Sequence, residues 1–225
     1  MSTFKGDLGT SAEPSFVWWD HKYLPLLTDL DRSAPVLEIG CGAGGLLTYL
    51  ERRGFSHATG IDISAEQVEL ARRQGVHATV ADVFAFLADH ADQFQAIVAV
   101  DVLEHFTRDE LLRLAPLLHA ALQPGGRLLV QTANGAGLFP GQVMYGDLTH
   151  MTIFTPQSLS QLLHGVGFPE LDFYETGPIP IRLRGRLDVA TWTAIKAAVN
   201  LMRYVETGKR QTIWTENFIC RAFKR

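Results

Sequence analysis

Val36-Leu37-Glu38-Ile39-Gly40-Cys41-Gly42-Ala43-Gly44-Gly45 decides the reading of this 225-residue chain. A run of buried-strand character leads into a glycine-rich turn, and the apolar residues after the turn open a helix. Glycines are needed there because the backbone must bend sharply and let a ligand lie against it with no Cβ in the way. Outward from this point, short apolar runs alternate with helix-like stretches. Strands are expected at residues 35–39, 57–62, 77–80, 94–100 and 126–132, and helices at about 46–53, 65–74, 83–89 and 108–122. The alternation implies parallel strands with crossover helices, in an open, doubly wound α/β sheet.

Gly40, Gly42 and Gly45 also satisfy the Gly-x-Gly-x-x-Gly dinucleotide pattern, and Asp62 falls where a ribose-binding acid would. Three features argue against a dinucleotide. Glu38, near the carboxyl end of its strand, would oppose a pyrophosphate but suits a cofactor carrying an ammonium and a positive sulfur. A second acid, Asp82, follows the third strand, where it can accept from an adenine amino group while Asp62 takes ribose hydroxyls. Leu122-Gln123-Pro124-Gly125-Gly126 sets a rigid turn before the fifth strand.

With Gly60-Ile61-Asp62-Ile63-Ser64, Ala81-Asp82-Val83 and Asp101-Val102-Leu103-Glu104-His105, these motifs resemble the class I S-adenosylmethionine-dependent methyltransferases over residues 36 to about 132. The resemblance implies a Rossmann-like, mostly parallel sheet of seven strands with flanking helices and the last strand antiparallel. It assigns the methionine part of S-adenosyl-L-methionine to Glu38, Gly40, Cys41, Gly42 and Gly44, the ribose to Asp62, and the adenine to Ile63, Asp82 and Val83, with Asp101 among the cofactor-binding positions. The product left behind would be S-adenosyl-L-homocysteine. Strands at 168–175 and 212–223 supply the last two, and a late helix at 187–205 is an insertion. One domain is expected over residues 1–225: an N-terminal helix or lid in 1–34, the core sheet in 35–175 and 208–225, and a helical insertion in 182–207.

Composition fits an ordinary folded protein, with 47% hydrophobic and 20% charged residues. No apolar run approaches the roughly 18 residues that span a bilayer, and the first residues lack the apolar stretch of a secretory leader. Two distant cysteines suit a reduced compartment, so the expected location is cytoplasmic. Net charge is −4, but residues 182–225 carry ten Lys or Arg against Asp188, Glu206 and Glu216. An acidic body argues against nucleic acid, while the basic tail allows peripheral membrane contact or a lipid-linked acceptor.

The chemistry is expected after the fourth and fifth strands. Asp101, Glu104 and His105 share a face if the chain turns helical, and His105 is the first candidate base, with Glu104 beside it. In the ubiquinone-pathway O-methyltransferases, which this segment resembles, such a motif is linked to a divalent cation, so Mg²⁺ at Asp101, Glu104 and His105 is open, with no metal site committed. Tyr145-Gly146-Asp147-Leu148-Thr149-His150 adds Asp147 and His150 as further catalytic candidates. Followed by Phe154-Thr155-Pro156-Gln157-Ser158, it also resembles bacterial methyltransferases of polysaccharide and glycolipid assembly. Expected acceptors are therefore sugar hydroxyls first and quinone or phenol hydroxyls second. Trp18 and Trp19 are placed as core or as a lid. In the late helix, Trp192, Ile195, Val199 and Met202 form a stripe read as core-facing, with membrane or dimer contact as alternatives, and the chain as monomer or homodimer.

Overall fold

The computed structural model describes residues 12–225. The loose lead-in expected over residues 1–15 lies mostly outside the described residues. Where it does not, helix α1 (Ala12–Lys22) has already begun, ahead of its expected start at Phe16.

Seven strands form one sheet: β1 (Val36–Ile39), β2 (Ala58–Asp62), β3 (His77–Val80), β4 (Phe94–Val100), β5 (Leu122–Ala133), β6 (Glu170–Glu175) and β7 (Asn217–Phe223). Their spatial order is β3-β2-β1-β4-β5-β7-β6. The pairs from β3 across to β5 are parallel, whereas β7 runs antiparallel to both β5 and β6. This is the Rossmann-like sheet with one reversed strand that the resemblance implied.

Side-chain alternation along the central strands builds two cores. Leu37 and Ile39 of β1, Ile97 and Ala99 of β4, and Leu128 and Val130 of β5 enter one. Val36, Ala96, Val98 and Leu129 point to the opposite face and enter the other. Helices α4 (Val83–Ala88), α5 (Arg108–Ala121) and α7 (Pro156–Gly165) cover the first face, and α1, α2 (Gly45–Arg52) and α3 (Ala65–Arg73) the second. Burial on both faces explains why these strands read as continuous apolar runs.

Local signals set the helix starts. Thr107 accepts from the Glu110 amide at 3.3 Å while the Glu110 carboxylate accepts from the Thr107 amide at 2.8 Å, closing a capping box that opens α5. Thr155 caps α7 through the Ser158 amide at 3.1 Å, with Pro156 at the first helical position.

Beyond β5 the chain departs from expectation. The stretch 141–154, read as a loop, contains a short helix, α6 (Pro140–Tyr145). Helix α8 (Arg182–Thr207) begins five residues before the expected 187 and lies in sequence between β6 and β7. Its expected core-facing stripe is split: Trp192 and Val199 are half-buried, but Ile195 is 41% and Met202 72% exposed. Among the described residues, no helix is long and apolar enough to cross a membrane.

Candidate active site

The order β3-β2-β1-β4-β5 means that the chain leaves β1 toward one edge and returns to β4 on the other side. At such a switch point the carboxyl ends of the strands leave a crevice. Here it is a cleft of about 710 Å³, lined by the turn after β1, the segment after β4, the end of β5, α6 and α8.

The turn after β1 shows why its residues are glycines. Gly44 has φ +83°, and a Cβ there would come within 2.8 Å of Val76 and 2.9 Å of Ala71, so this glycine lets the turn pack on α3. Gly42 has φ +52°, but a Cβ would meet only Gln67 Oε1 at 3.7 Å, so it leaves room on the cleft side. Asp62 braces the turn, accepting from the Gly42 amide and from the Ser64 amide, each at 2.8 Å.

After β4, Asp101 has φ +53°, an unusual backbone for a non-glycine and one that tends to be retained at functional sites. Gln131 Nε2 donates to the Asp101 carboxylate at 3.1 Å, and the Tyr23 hydroxyl donates to Gln131 Oε1 at 2.8 Å. Burial, then the Asp101, Glu38 and Glu104 carboxylates, hold the Tyr23 phenol well above its usual range, so it stays protonated as a donor. Glu104 is 1% exposed and accepts from Thr132 Oγ1 at 3.0 Å. Burial, then the neighbouring Asp101 charge, push its carboxyl up to about 7.

His105 and His150 meet edge to face, with ring centroids 5.1 Å apart. His150 Nδ1 lies 3.0 Å from the Val143 carbonyl, which can only accept, so Nδ1 carries the proton and a neutral ring offers Nε2 as a base. The same logic applies to His105. Its Nδ1 faces the Thr149 carbonyl at 3.2 Å and Thr149 Oγ1 at 3.0 Å, and that hydroxyl already donates to Asp147 Oδ1 at 2.7 Å. An Asp147–Thr149–His105 chain therefore fixes the ring's tautomer. The Thr149 hydroxyl and amide hold the Asp147 carboxyl well below the usual carboxylate range, keeping the end of the chain charged.

Of the sequence-predicted residues, Glu38, Cys41, Gly42, Asp101, Glu104, His105, Asp147 and His150 line this one cleft. The others sit around it. Gly40 packs against Val102, Ile63 is 78% exposed, Asp82 caps α4 through the Phe84 and Ala85 amides at 3.0 Å, and Val83 joins the core. Trp18 and Trp19 line the cleft, with Trp18 Nε1 donating to the Thr176 carbonyl at 3.3 Å. Gln131, Phe139 and Trp214 line it too and were missed, and Trp192, read as part of a core-facing stripe, lines it as well. Only Gln131 left a signal, as a polar residue closing the apolar run Leu128-Leu129-Val130. Among the described residues, no three His, Cys, Asp or Glu side chains gather as a metal would require. Glu104 is turned to Thr132 and His105 to Thr149, so the set Asp101, Glu104 and His105 does not fit Mg²⁺.

The deciding feature is charge. Glu38, Asp101, Glu104, Asp147 and Glu216 line the cleft, and its described lining includes no Lys or Arg. Such a niche repels a pyrophosphate and attracts a cation. Comparison with known proteins agrees: the family described as "Methyltransferase domain" matches residues 16–170.

The chain is a class I S-adenosylmethionine-dependent methyltransferase.

The methyltransferase is 30% identical over 185 residues to a ubiquinone biosynthesis O-methyltransferase of Aeromonas salmonicida, covering 67% of this chain and 75% of that protein. It is 32% identical over 137 residues to the protein of the same name from Xylella fastidiosa, covering 52% of this chain and 54% of that one. In fold it is similar to a SAM-dependent methyltransferase from Archaeoglobus fulgidus, with a TM-score of 0.71, 17% identity and 95% of each chain covered. It is also similar to phosphoethanolamine N-methyltransferase 2 of Haemonchus contortus, solved with S-adenosyl-L-methionine. There the TM-score is 0.62 and the identity 17%, over 92% of this chain and 52% of that one.

Proposed function

We propose that the methyltransferase methylates a hydroxyl oxygen on an apolar aromatic acceptor, a phenol or quinol. The observation that carries this reading is the meeting of two kinds of wall in one cleft. Trp18, Trp19, Phe139, Trp192 and Trp214 offer flat apolar surfaces, and His105 and His150 stand among them with Nε2 available. The relatives named as ubiquinone biosynthesis O-methyltransferases support the same acceptor class.

The cofactor supplies an activated methyl group on a positive sulfur. Glu38 and the turn through Gly42 would hold its amino-acid end, with space beside Gly42 for close approach. Asp62 would meet the ribose, and Ile63, Asp82 and Val83 would frame the adenine. Trp18 and Trp19 exclude water from the reacting atoms, and the aromatic walls aim the acceptor oxygen along the line of displacement. His105 Nε2 takes the hydroxyl proton as the oxygen–carbon bond forms and the carbon–sulfur bond breaks, then passes it to solvent. Thr149, held by Asp147, keeps the Nδ1 proton in place, so that the neutral ring presents Nε2.

A second reading, a sugar or glycolipid hydroxyl, is favoured by Gln142, Asp147, Glu216 and Asn217 in the same cleft, which offer the hydrogen bonds a sugar needs. Incubation with methyl-labelled cofactor and matched panels of catechols, quinols, sugars and glycolipids separates the two. Label is expected on phenolic oxygen. Label on sugars alone would replace the first reading with the second, and calorimetry showing affinity for NAD but none for S-adenosyl-L-homocysteine would overturn both.

A further inference from the structure

Helix α8 contains no fully buried residue. Its inward face, Val189, Trp192, Lys196, Val199 and Arg203, is half-buried, with Trp192 Nε1 donating to Glu175 at 3.3 Å and Lys196 paired to the same carboxylate. The outward face is the anomaly. Leu183, Leu187, Leu201 and Val205 are 59–78% exposed, and Ala190, Ala194 and Ala198 between them are exposed as well. At about 100° per residue these seven positions fall within an arc of about 80°, and no charged residue lies in it. A helix that is apolar on both faces needs cover on both.

The seam is also a palindrome. About Ala194, alanines stand at four residues either side, leucines at seven, and Leu183 and Val205 at eleven. A twofold, isologous contact demands this kind of self-complementarity, because each residue before the axis meets the one equally far beyond it on the other copy.

We propose that the outward face of α8 pairs antiparallel with α8 of a second copy of this chain, with the twofold axis passing at Ala194. The central alanines let the helix axes approach to about 8 Å, and the leucines close the seam toward both ends. Along the helix no like charges are brought face to face. A lipid surface fits less well, since the middle of the seam is alanine, which inserts little, and the arginines cluster at one end. A seam of seven side chains is small beside the roughly 20–30 residues a side of standard interfaces, so association is expected in the micromolar range. Trp192 lines the cleft from the inward face, so pairing would also steady one wall of the site.

Sedimentation velocity from about 1 to about 200 μM tests this. The native chain is expected to dimerise. Ala194→Arg, which sets two guanidiniums on the axis, is expected to raise the dimer Kd at least about tenfold with an unchanged melting curve. Cys41 and Cys220 are buried, so oxidation reports introduced thiols. Ala194→Cys should crosslink to itself, whereas Leu183→Cys should crosslink only when mixed with Val205→Cys. A monomer throughout the range, a dimer indifferent to Ala194→Arg, Leu183→Cys crosslinking to itself, or phosphatidylglycerol vesicles binding the native chain but not Ala194→Arg would each overturn the proposal.

Discussion

The two halves of the cleft are built differently. On the β1 side the walls are backbone and buried acid: a glycine turn braced by Asp62, and Glu38 only 4% exposed at the end of its strand. On the β5 side the walls are exposed side chains on short elements, with Phe139 73% exposed and Gln142 exposed at α6. A half made of backbone is rigid and tied to a single ligand, whereas a half made of exposed side chains can change its acceptor by substitution while the sheet stays as it is. The histidines stand at the seam between these halves.

Substitutions can break this contrast or sharpen it. His105→Ala is expected to lower kcat by about 10²- to 10⁴-fold, the range for removal of a general base, while calorimetry finds affinity for S-adenosyl-L-homocysteine within about twofold. An unchanged rate would pass the role to His150. Gly42→Val reports on the other half. Because its Cβ meets little protein, the fold should survive, yet cofactor affinity should fall by about 100-fold through lost space and unfavourable φ. Gly44→Val, by contrast, should lower the melting temperature first, since Val76 and Ala71 are in the way.

Glu104 belongs to the rigid half, and its effect is on stability. Its folded pKa of about 7 lies above the ordinary glutamate value of 4.5, so the folded state binds the proton more tightly. The associated stability is complete below about pH 4.5 and is lost as pH rises through 7, by at most a few kcal/mol. Glu104→Gln should therefore flatten the fall in melting temperature between pH 5 and about pH 8, and an unchanged slope would show that Glu104 titrates normally. The smallest effect is expected of Thr149→Val, since the Thr149 carbonyl still accepts from His105 Nδ1: at most about a tenfold loss in kcat, with little change in KM for the cofactor.

The same contrast governs what the chain's order of residues disclosed. Strands and helices from β1 to β5 were legible because burial on both faces leaves apolar runs, and because caps such as Thr107 mark helix starts. The glycine turn and the acids at strand ends were legible for a related reason, since sheet topology carries them to one edge. Helix α8 was placed too late because Arg182-Leu183-Arg184-Gly185-Arg186 offers no capping side chain and includes a glycine. Its inner and outer faces were confused because both are apolar, and only the packing tells which one meets the body. The Tyr23–Gln131 bond joins positions 108 residues apart, and the His105–Thr149 contact joins positions 44 apart. No local pattern announces such pairs.

Helix α1 is fastened at its carboxyl end from three directions: Asp20 to Arg53 at 2.6 Å, Lys22 to the Glu175 carbonyl at 2.9 Å, and Tyr23 to Gln131 at 2.8 Å. A roof riveted in this way does not swing. Whatever enters or leaves the chamber is then expected to pass on the opposite side, between the exposed side chains of Phe139 and Gln142.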